Sequence, residues 1–566
     1  MRTSAGRWLP PLLLLLASLA AYGHALGAPS LWFDEAFSVE LARQPLPRLW
    51  QAIWGPEPNM ELYYLLLHFW LRGAALLGLA PTELVVRLPS ALCAACSVPV
   101  LFLLGRRFLG PLASAVAALL YLFDYSTLVY AQQTRAYALQ LLLLLLSWYA
   151  LVHLLSPGRR RSGWWYLYVA ATVLACYAQL FSLLVFGAQV VAVVGLLLLP
   201  SDWREGLRRC WRSLGAALLI CVLAVIPLLL VSQHGSRTGW LPIPHLHDLL
   251  NLVPSLVGGN AQLSLSILLV CGLAVMLIPL AALLLLGQPA PPAGQRDMAV
   301  DFLVTSRERL PLLWLLLCWF ALPVLMSFVV SQGPLRLFSE RYLVVVIPPL
   351  CLLMALGLVS LHLRLLQGLF TVLLLALTLM TGLGYYGHAQ LEDWRTAALW
   401  LQHHYQPGDG LVCYDTIQGC QTSLEYYFAA YPVSGAHFTD DAPGNLLSWQ
   451  TSSGFAAPGR SADAALDIAA VAAYARQHTR LFYILGRVPD QQGAERVKQV
   501  VAWLDAHYRL LGQVASAGHI SVRLYAVLPV PGSGRTGGVR PTPAVVGGVG
   551  VTRGESGSRR PLWRRA

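Results

Sequence analysis

The chain predicts a polytopic α-helical membrane protein with a C-terminal extracytoplasmic α/β domain, and three observations carry its membrane part. Of 566 residues, 57% are hydrophobic and 12% charged, and the mean hydropathy is +0.60, too apolar for a soluble chain of this length. Apolar runs long enough to cross a bilayer recur from residue 8 to about residue 384. The net charge of +12 comes from short arginine clusters between those runs, the pattern that orients spans in a membrane. No nucleic-acid partner is expected.

Residues 1–26 have the outline of a signal peptide, with Arg2 and Arg7 ahead of an apolar core, but the first span of a polytopic protein looks the same. It is read here as a span over 8–26 with a cytoplasmic N-terminus, so residues 27–87 emerge as a long outer loop. Within that loop lies ELYYLLLHFWLRGAALLG, residues 61–78, interrupted by His68 and Arg72. Were it to cross, Arg106, Arg107, Arg159, Arg160, Arg161, Arg204, Arg208, Arg209 and Arg212 would all fall outside, against the positive-inside rule. As a helix lying in the interface it leaves every one of them in the cytoplasm.

Further spans are expected at 86–104, 111–129, 136–155, 164–178, 182–200, 213–232, 263–286, 311–330, 342–361 and 365–384, about eleven in all with a range of 11–13. The loop 287–310, with Arg296, Arg307 and Arg309, then falls in the cytoplasm. Residues 1–386 thus form a transmembrane domain. Beyond them, 387–528 read as an outer α/β domain, with strands at 410–414, 480–485 and 520–528. Val497, Val500, Val501 and Leu504 recur at helical spacing and place an amphipathic helix over 494–508. The Gly/Pro/Arg-rich tail, 529–566, is expected to be disordered. Of ten cysteines, Cys93 and Cys96 sit in a span and suit packing, whereas Cys413 and Cys420 lie in the soluble stretch and could form a disulfide.

Two adjacent carboxylates, Asp34 and Glu35 in SLWFDEAF, follow the first span, and acids beside a bilayer need a reason. One reading makes Asp34 a general base at a polar site. The other makes it the cap of a short helix beginning near Glu35. The same outer face is expected to hold Asp124, the stretch Gln132, Gln133, Arg135 and Tyr137, the turn with Tyr177 and Gln179, and the loop with Arg336, Glu340, Arg341 and Tyr342. Guanidinium groups grip phosphate oxygens in pairs while an acid takes a proton from an attacking hydroxyl, which suits a lipid-linked phosphate as leaving group. Any single arginine here could instead snorkel to headgroups, and Asp124 could equally be a packing acid.

At these residues the sequence resembles the membrane glycosyltransferases of family 39 and their relatives, which include protein O-mannosyltransferases and lipid A aminoarabinose transferases and share the GT-C fold. The resemblance runs through Asp34 and Glu35, LYYLLLHFW at 62–70, VRLPSALCA at 86–94 leading to Gly105, Arg106 and Arg107, YAQQTRAYAL at 130–139, YAQLFSLLVFGAQ at 177–189, SERYLVVVIPP at 339–349 and EDWRTAALWL at 392–401. It implies inverting transfer of a sugar from a polyprenyl-phosphate donor to a lipid, glycan or protein acceptor among membrane lipids. Asp34 would be the base and Glu35 its support. Arg135 and Arg341 would be ligands of the donor phosphate, with Arg336, Tyr137 and Tyr342 as further candidates.

Two departures bear on the remaining candidates, Asn59, Glu61, Tyr63, Asp124, Gln133 and Gln179. Many relatives carry His-Pro-Pro where Asn59, Met60 and Glu61 stand, and many carry Glu in place of Gln133. The second removes an acid that could help hold a divalent metal, so no cofactor is implied with certainty, and a metal would have to draw on Glu61 or Asp124. Two rivals remain open from sequence alone. A lipid-linked sugar flippase predicts charges at the bilayer midplane and broken helices there, and an inactive sugar-binding scaffold predicts no turnover.

Overall fold

A computed structural model describes residues 5–55, 59–155, 163–198, 202–232, 241–258, 298–360, 364–415, 419–431, 462–488 and 490–527. The chain forms two compact units, one from residues up to 28 with 42–389, the other from 29–41 with 390 onward. The long outer loop is therefore divided. Its acidic part packs with the C-terminal residues and the rest with the helices.

Along the chain come α1 (Ala5–Gly23), α2 (Phe33–Arg43), α3 (Leu46–Ile53), α4 (Glu61–Leu76), α5 (Glu83–Phe123), α6 (Tyr125–Ala131), α7 (Tyr137–Leu155) and α8 (Gly163–Ala178). They continue as α9 (Ser182–Leu196), α10 (Asp202–Ser232), α11 (Leu246–Gly258), α12 (Met298–Val330), α13 (Glu340–Leu343), α14 (Ile347–Ser360) and α15 (Arg364–His388). Among the described residues six helices are long and apolar enough to cross a membrane, within α5, α7, α10, α12, α13 to α14, and α15, and α1, α9 and α11 hold shorter apolar stretches. The protein is a multi-pass membrane protein.

Burial sorts these helices. α7 is enclosed along most of its length, with Trp148 stacked on Trp319 of α12 at 4.8 Å. Its buried Ser147 is paired, as apolar surroundings favour: Ser147 Oγ lies 2.7 Å from Thr172 Oγ1 and accepts from Gln189 Nε2 at 2.9 Å. By contrast α10 exposes Leu219, Ile220, Leu223 and Leu230, and α15 exposes Leu365, Leu369, Val372 and Met380. Rows of this kind are costly in water and natural against lipid.

Several sequence-based boundaries are corrected. The expected spans at 86–104 and 111–129 are two helical segments that run on within α5 and part at Gly110, whose backbone is not helical and whose φ of 79° falls in a region only glycine enters without strain. The second of them ends at Phe123 and not at 129. There the Asp124 carboxylate accepts from Thr127 N–H at 2.9 Å and Thr127 Oγ1 at 3.1 Å, capping the separate helix α6. Because α10 begins at Asp202, Arg204, Arg208, Arg209 and Arg212 ride its first turns and are not in a loop. The segment 298–310, expected in a loop, is helical backbone of α12. The expected span 263–286, Arg159 to Arg161, Arg296 and the tail 529–566 lie outside the described residues.

α4 is 16 residues long, about 24 Å, short of a hydrocarbon core of about 30 Å. It buries Tyr63, Tyr64, Leu67 and Leu71 and exposes Phe69, Leu76 and the following Leu77, while α3 buries Leu49 and Ile53 and exposes Trp50. Such two-faced helices are fitted to lie along an interface. His68 is accounted for by packing, with Nδ1 at 2.7 Å from the Ala42 carbonyl.

The second unit adds α16 (Trp394–His404), β1 (Gly410–Tyr414), α17 (Gly419–Ala430), α18 (Ile468–Ala475), β2 (Arg480–Leu485), α19 (Gln491–His507), β3 (Arg509–Ala515) and β4 (Ser521–Ala526). Its sheet has the order β1-β2-β4-β3, with β1 and β2 parallel and the other neighbours antiparallel. The three predicted strands are present. β3, unpredicted, is an edge strand with alternate residues exposed and a register shift between Leu510 and Gly512. The helix predicted over 494–508 is α19, with Val500 and Leu504 buried. Cys413 and Cys420 are bonded, their Cα atoms 6.2 Å apart, tying β1 to the start of α17.

Candidate active site

In the helical unit, polar turns are joined by side-chain contacts. Between α6 and α7, Gln132 is spent on closing α1, its Nε2 donating to the carbonyls of Tyr22 at 3.0 Å and His24 at 2.7 Å. The Gln133 carbonyl accepts from Arg135 N–H at 2.8 Å, which tightens the turn and buries Arg135 to 9% exposure. Gln133 is itself buried, and among the described residues its Oε1 has no hydrogen-bond partner. Ser90 Oγ donates to the Arg135 carbonyl at 3.3 Å and lies 2.9 Å from Tyr63 Oη, so α4, α5 and the start of α7 share one polar string.

The turn between α8 and α9 completes it. Leu180 N–H donates to the Asn59 carbonyl at 3.3 Å, fixing the approach to α4, and Gln140 Nε2 donates to Ser182 Oγ at 3.0 Å. Gln179 beside them is buried. Phe181 stacks on Tyr342 at 5.8 Å, and Tyr130, 4.6 Å from the Tyr137 ring, is within electrostatic reach of Arg341 and Glu340. Asn59, Tyr63, Arg135, Tyr137, Gln179, Arg341 and Tyr342 are thus gathered, and Glu61 lies within electrostatic reach of Tyr177 in the same turn region.

Two further sequence candidates make local contacts. Arg336 turns back on its own loop, donating from Nη1 to the Ser331 carbonyl at 2.8 Å and to that of Gly333, which closes the end of α12. Asp124 caps α6 within reach of Tyr22, Tyr121 and Cys351. Glu61, 2% exposed, accepts from no donor of another residue among the described residues. Burial pushes its carboxyl from 4.5 up to about 8, with its own backbone N–H as the counterweight. Among the described residues no group of three or more His, Cys, Asp and Glu could hold a metal ion, so neither Glu61 nor Asp124 belongs to such a cluster.

The acidic pair belongs to the other unit. α2 starts at Phe33, earlier than the capping reading supposes, and places Asp34 and Glu35 in its first turn, where the helix dipole favours negative charge. Glu35 is wholly buried and Asp34 half-buried, so of the two only Asp34 is open to a reactant. The approach to this helix is clamped. Ser30 N–H donates to Gln390 Oε1 at 3.0 Å, Leu31 N–H to Tyr427 Oη at 2.6 Å, and Phe33 N–H to Glu392 Oε2 at 2.9 Å.

Sequence reasoning missed Glu392, Tyr427 and Arg487 in that clamp, and in the helical unit Arg87, 3% exposed, whose Nη1 donates to the Leu26 carbonyl at 3.1 Å. The available signal was the charged start of EDW at 392–394 and an arginine just inside an apolar run.

Residues 65–230 match the model of a family described as dolichyl-phosphate-mannose-protein mannosyltransferase. The matched stretch holds Arg135 and Gln179 but not Asp34 or Arg341. Among solved structures, the chain is similar to ArnT from Cupriavidus metallidurans in the apo state, at 15% identity over 93% of this chain and 99% of that one, with a TM-score of 0.54. It is also similar to ArnT from the same organism bound to undecaprenyl phosphate, at 16% identity over 92% of this chain and 98% of that one, with a TM-score of 0.50. No curated protein matches. At such identities the likeness is one of fold, and the expected GT-C architecture with its C-terminal domain is the architecture of this chain.

Proposed function

We propose that the protein is an integral-membrane glycosyltransferase that moves a sugar from a polyprenyl-phosphate carrier to an acceptor hydroxyl on the extracytoplasmic side, with inversion. The observation that carries this reading is the mannosyltransferase family match over 65–230. The similar fold of a protein crystallised with undecaprenyl phosphate supports the lipid-phosphate part of it.

In the proposed step Asp34 takes the proton of the acceptor hydroxyl as its oxygen bonds to the sugar C1. The bond from C1 to the phosphate oxygen breaks on the opposite side, and the lipid phosphate leaves with the electron pair. Arg135 and Arg341 hold that phosphate and meet the charge as it develops. Glu35, buried beneath Asp34, supports the first turn of α2. Lipid, glycan and protein acceptors all offer the hydroxyl this chemistry needs.

The test is incubation of the purified protein with labelled polyprenyl-phosphate sugars and measurement of free lipid phosphate and glycosylated acceptor. Release coupled to transfer is expected; binding or translocation of the lipid with no cleavage overturns the reading. Cysteines at positions 34 and 341 should be labelled from the same, extracytoplasmic, side of intact cells.

A further inference from the structure

Parallel strands of an open α/β sheet usually take ligands at their carboxyl ends. In the second unit that edge is occupied by the chain's own residues 29–33. Tyr427 comes from α17, which follows β1, and its Oη lies 2.7 Å from Ser30 Oγ besides accepting from Leu31 N–H. Arg487 stands just past the end of β2, paired through Nε with Glu392 Oε1 at 3.1 Å, with its guanidinium 5.3 Å from the centre of the Phe33 ring.

Glu392 is the centre of this arrangement. It is 4% exposed, and its Oε2 accepts from both Phe33 N–H and Trp394 Nε1–H at 2.9 Å. Phe33 N–H is one of the N-terminal helix donors that have no partner within the helix. A carboxylate 359 residues away supplies that partner. The backbone beside Glu392 is fixed from behind: Asp393 N–H donates to the Ala517 carbonyl at 3.1 Å and Ser516 Oγ–H to the Asp393 carbonyl at 2.9 Å. Gly518, at φ +78°, approaches so closely that a Cβ there would meet the Leu391 carbonyl at 2.8 Å and Glu392 Cα at 2.9 Å.

We infer that the C-terminal domain is a positioning element for the acidic helix, with Glu392 the positioning residue that sets the start of α2 and so the aim of Asp34. This rests on the proposal that Asp34 is the base. A carboxylate acting through α2 affects the attacking geometry and not the lipid site, so it should govern kcat with KM for the donor unmoved.

The experiment compares full-length Glu392→Ala, Glu392→Gln and Gly518→Ala with wild type in detergent or nanodiscs, by turnover of polyprenyl-phosphate sugar and by hydrogen exchange. Glu392→Ala is expected to lower kcat about a hundredfold with KM for the donor within about twofold. Exchange of the peptide covering 29–43 should quicken at least about tenfold while β2 stays protected. Glu392→Gln, whose amide oxygen still accepts from Phe33 N–H, should recover part of both, and Gly518→Ala should reproduce the loosening with the carboxylate intact. Unchanged exchange over 29–43, or an equal loss over 29–43 and β2, overturns the assignment. The exchange result judges the clamp without reference to turnover; retained activity in Asp34→Asn would strike at the base alone.

Discussion

Glu61 and Glu392 are both nearly solvent-free carboxylates, yet the protein treats them oppositely. Glu392 meets Phe33 N–H, the Trp394 indole and the Arg487 guanidinium, whereas Glu61 receives no donor from another residue among the described residues. A buried carboxylate with its lone pairs filled holds neighbouring backbone in place, because moving any part of the arrangement strands a polar group. One left empty costs stability as an anion and stays protonated, or waits for a partner that is not part of the chain. The first kind braces backbone; the second carries a charge state that follows pH.

The sharpest break of this contrast is the acid that Glu392 serves. Asp34→Asn is expected to lower transfer by roughly a thousandfold or more, with the membrane-inserted fold unchanged by circular dichroism and gel filtration; substantial turnover in that variant would show that the clamp holds something other than the base. Next comes the phosphate side. Arg135→Lys and Arg341→Lys keep the charge but lose the planar fork, and each should weaken donor use by roughly tenfold in kcat/KM. Arg336→Ala, which removes a loop closure and no ligand in this reading, should change it by less than about twofold.

Glu61 gives a prediction in pH. Its carboxyl is protonated in the native protein up to about 8, while the unfolded chain loses that proton near 4.5. Between those values the native state binds more protons, so stability falls as pH rises through the window and levels off above it. Glu61→Gln should abolish that fall, raising thermal stability at pH 8 by the equivalent of about 2 to 4 kcal/mol and leaving it unchanged near pH 4. Melting curves of both proteins across this range decide it, and parallel curves would show that Glu61 finds a partner in solution. A smaller loss of stability is expected from Tyr427→Phe, which removes the oxygen shared by Ser30 and Leu31. A cost of about 1 to 3 kcal/mol in stability, with quicker exchange at 29–31, follows from the buried Leu31 N–H losing its acceptor, while Ser30 Oγ keeps the Leu31 carbonyl and Arg395 N–H.

Much of the fold is legible in the sequence because lipid and span length leave apolar runs few alternatives. The errors fall where a polar side chain overrides the run. YLFDYSTLVY reads as an unbroken span until Asp124 is seen to bond Thr127 and start a new helix. β3 escaped because RLLGQVA lies at an edge, half of it in solvent and with a bulge. The candidate site divides in the same way. Arg135 and Gln179 lie in turns flanking apolar helices and Tyr137 begins one, places that hydropathy locates. The partners of the acidic helix lie 359 to 397 residues from it, and no local pattern announces a contact across that distance.

The bond between Cys413 and Cys420 fastens β1 to the helix that carries Tyr427. Cystines endure where glutathione does not reach them, so on the extracytoplasmic reading proposed for this domain, maturation of the protein draws on thiol-oxidising catalysts at its site of assembly. Cells deprived of those catalysts should accumulate a full-length, inserted and sluggish form, recoverable by mild oxidant without new synthesis.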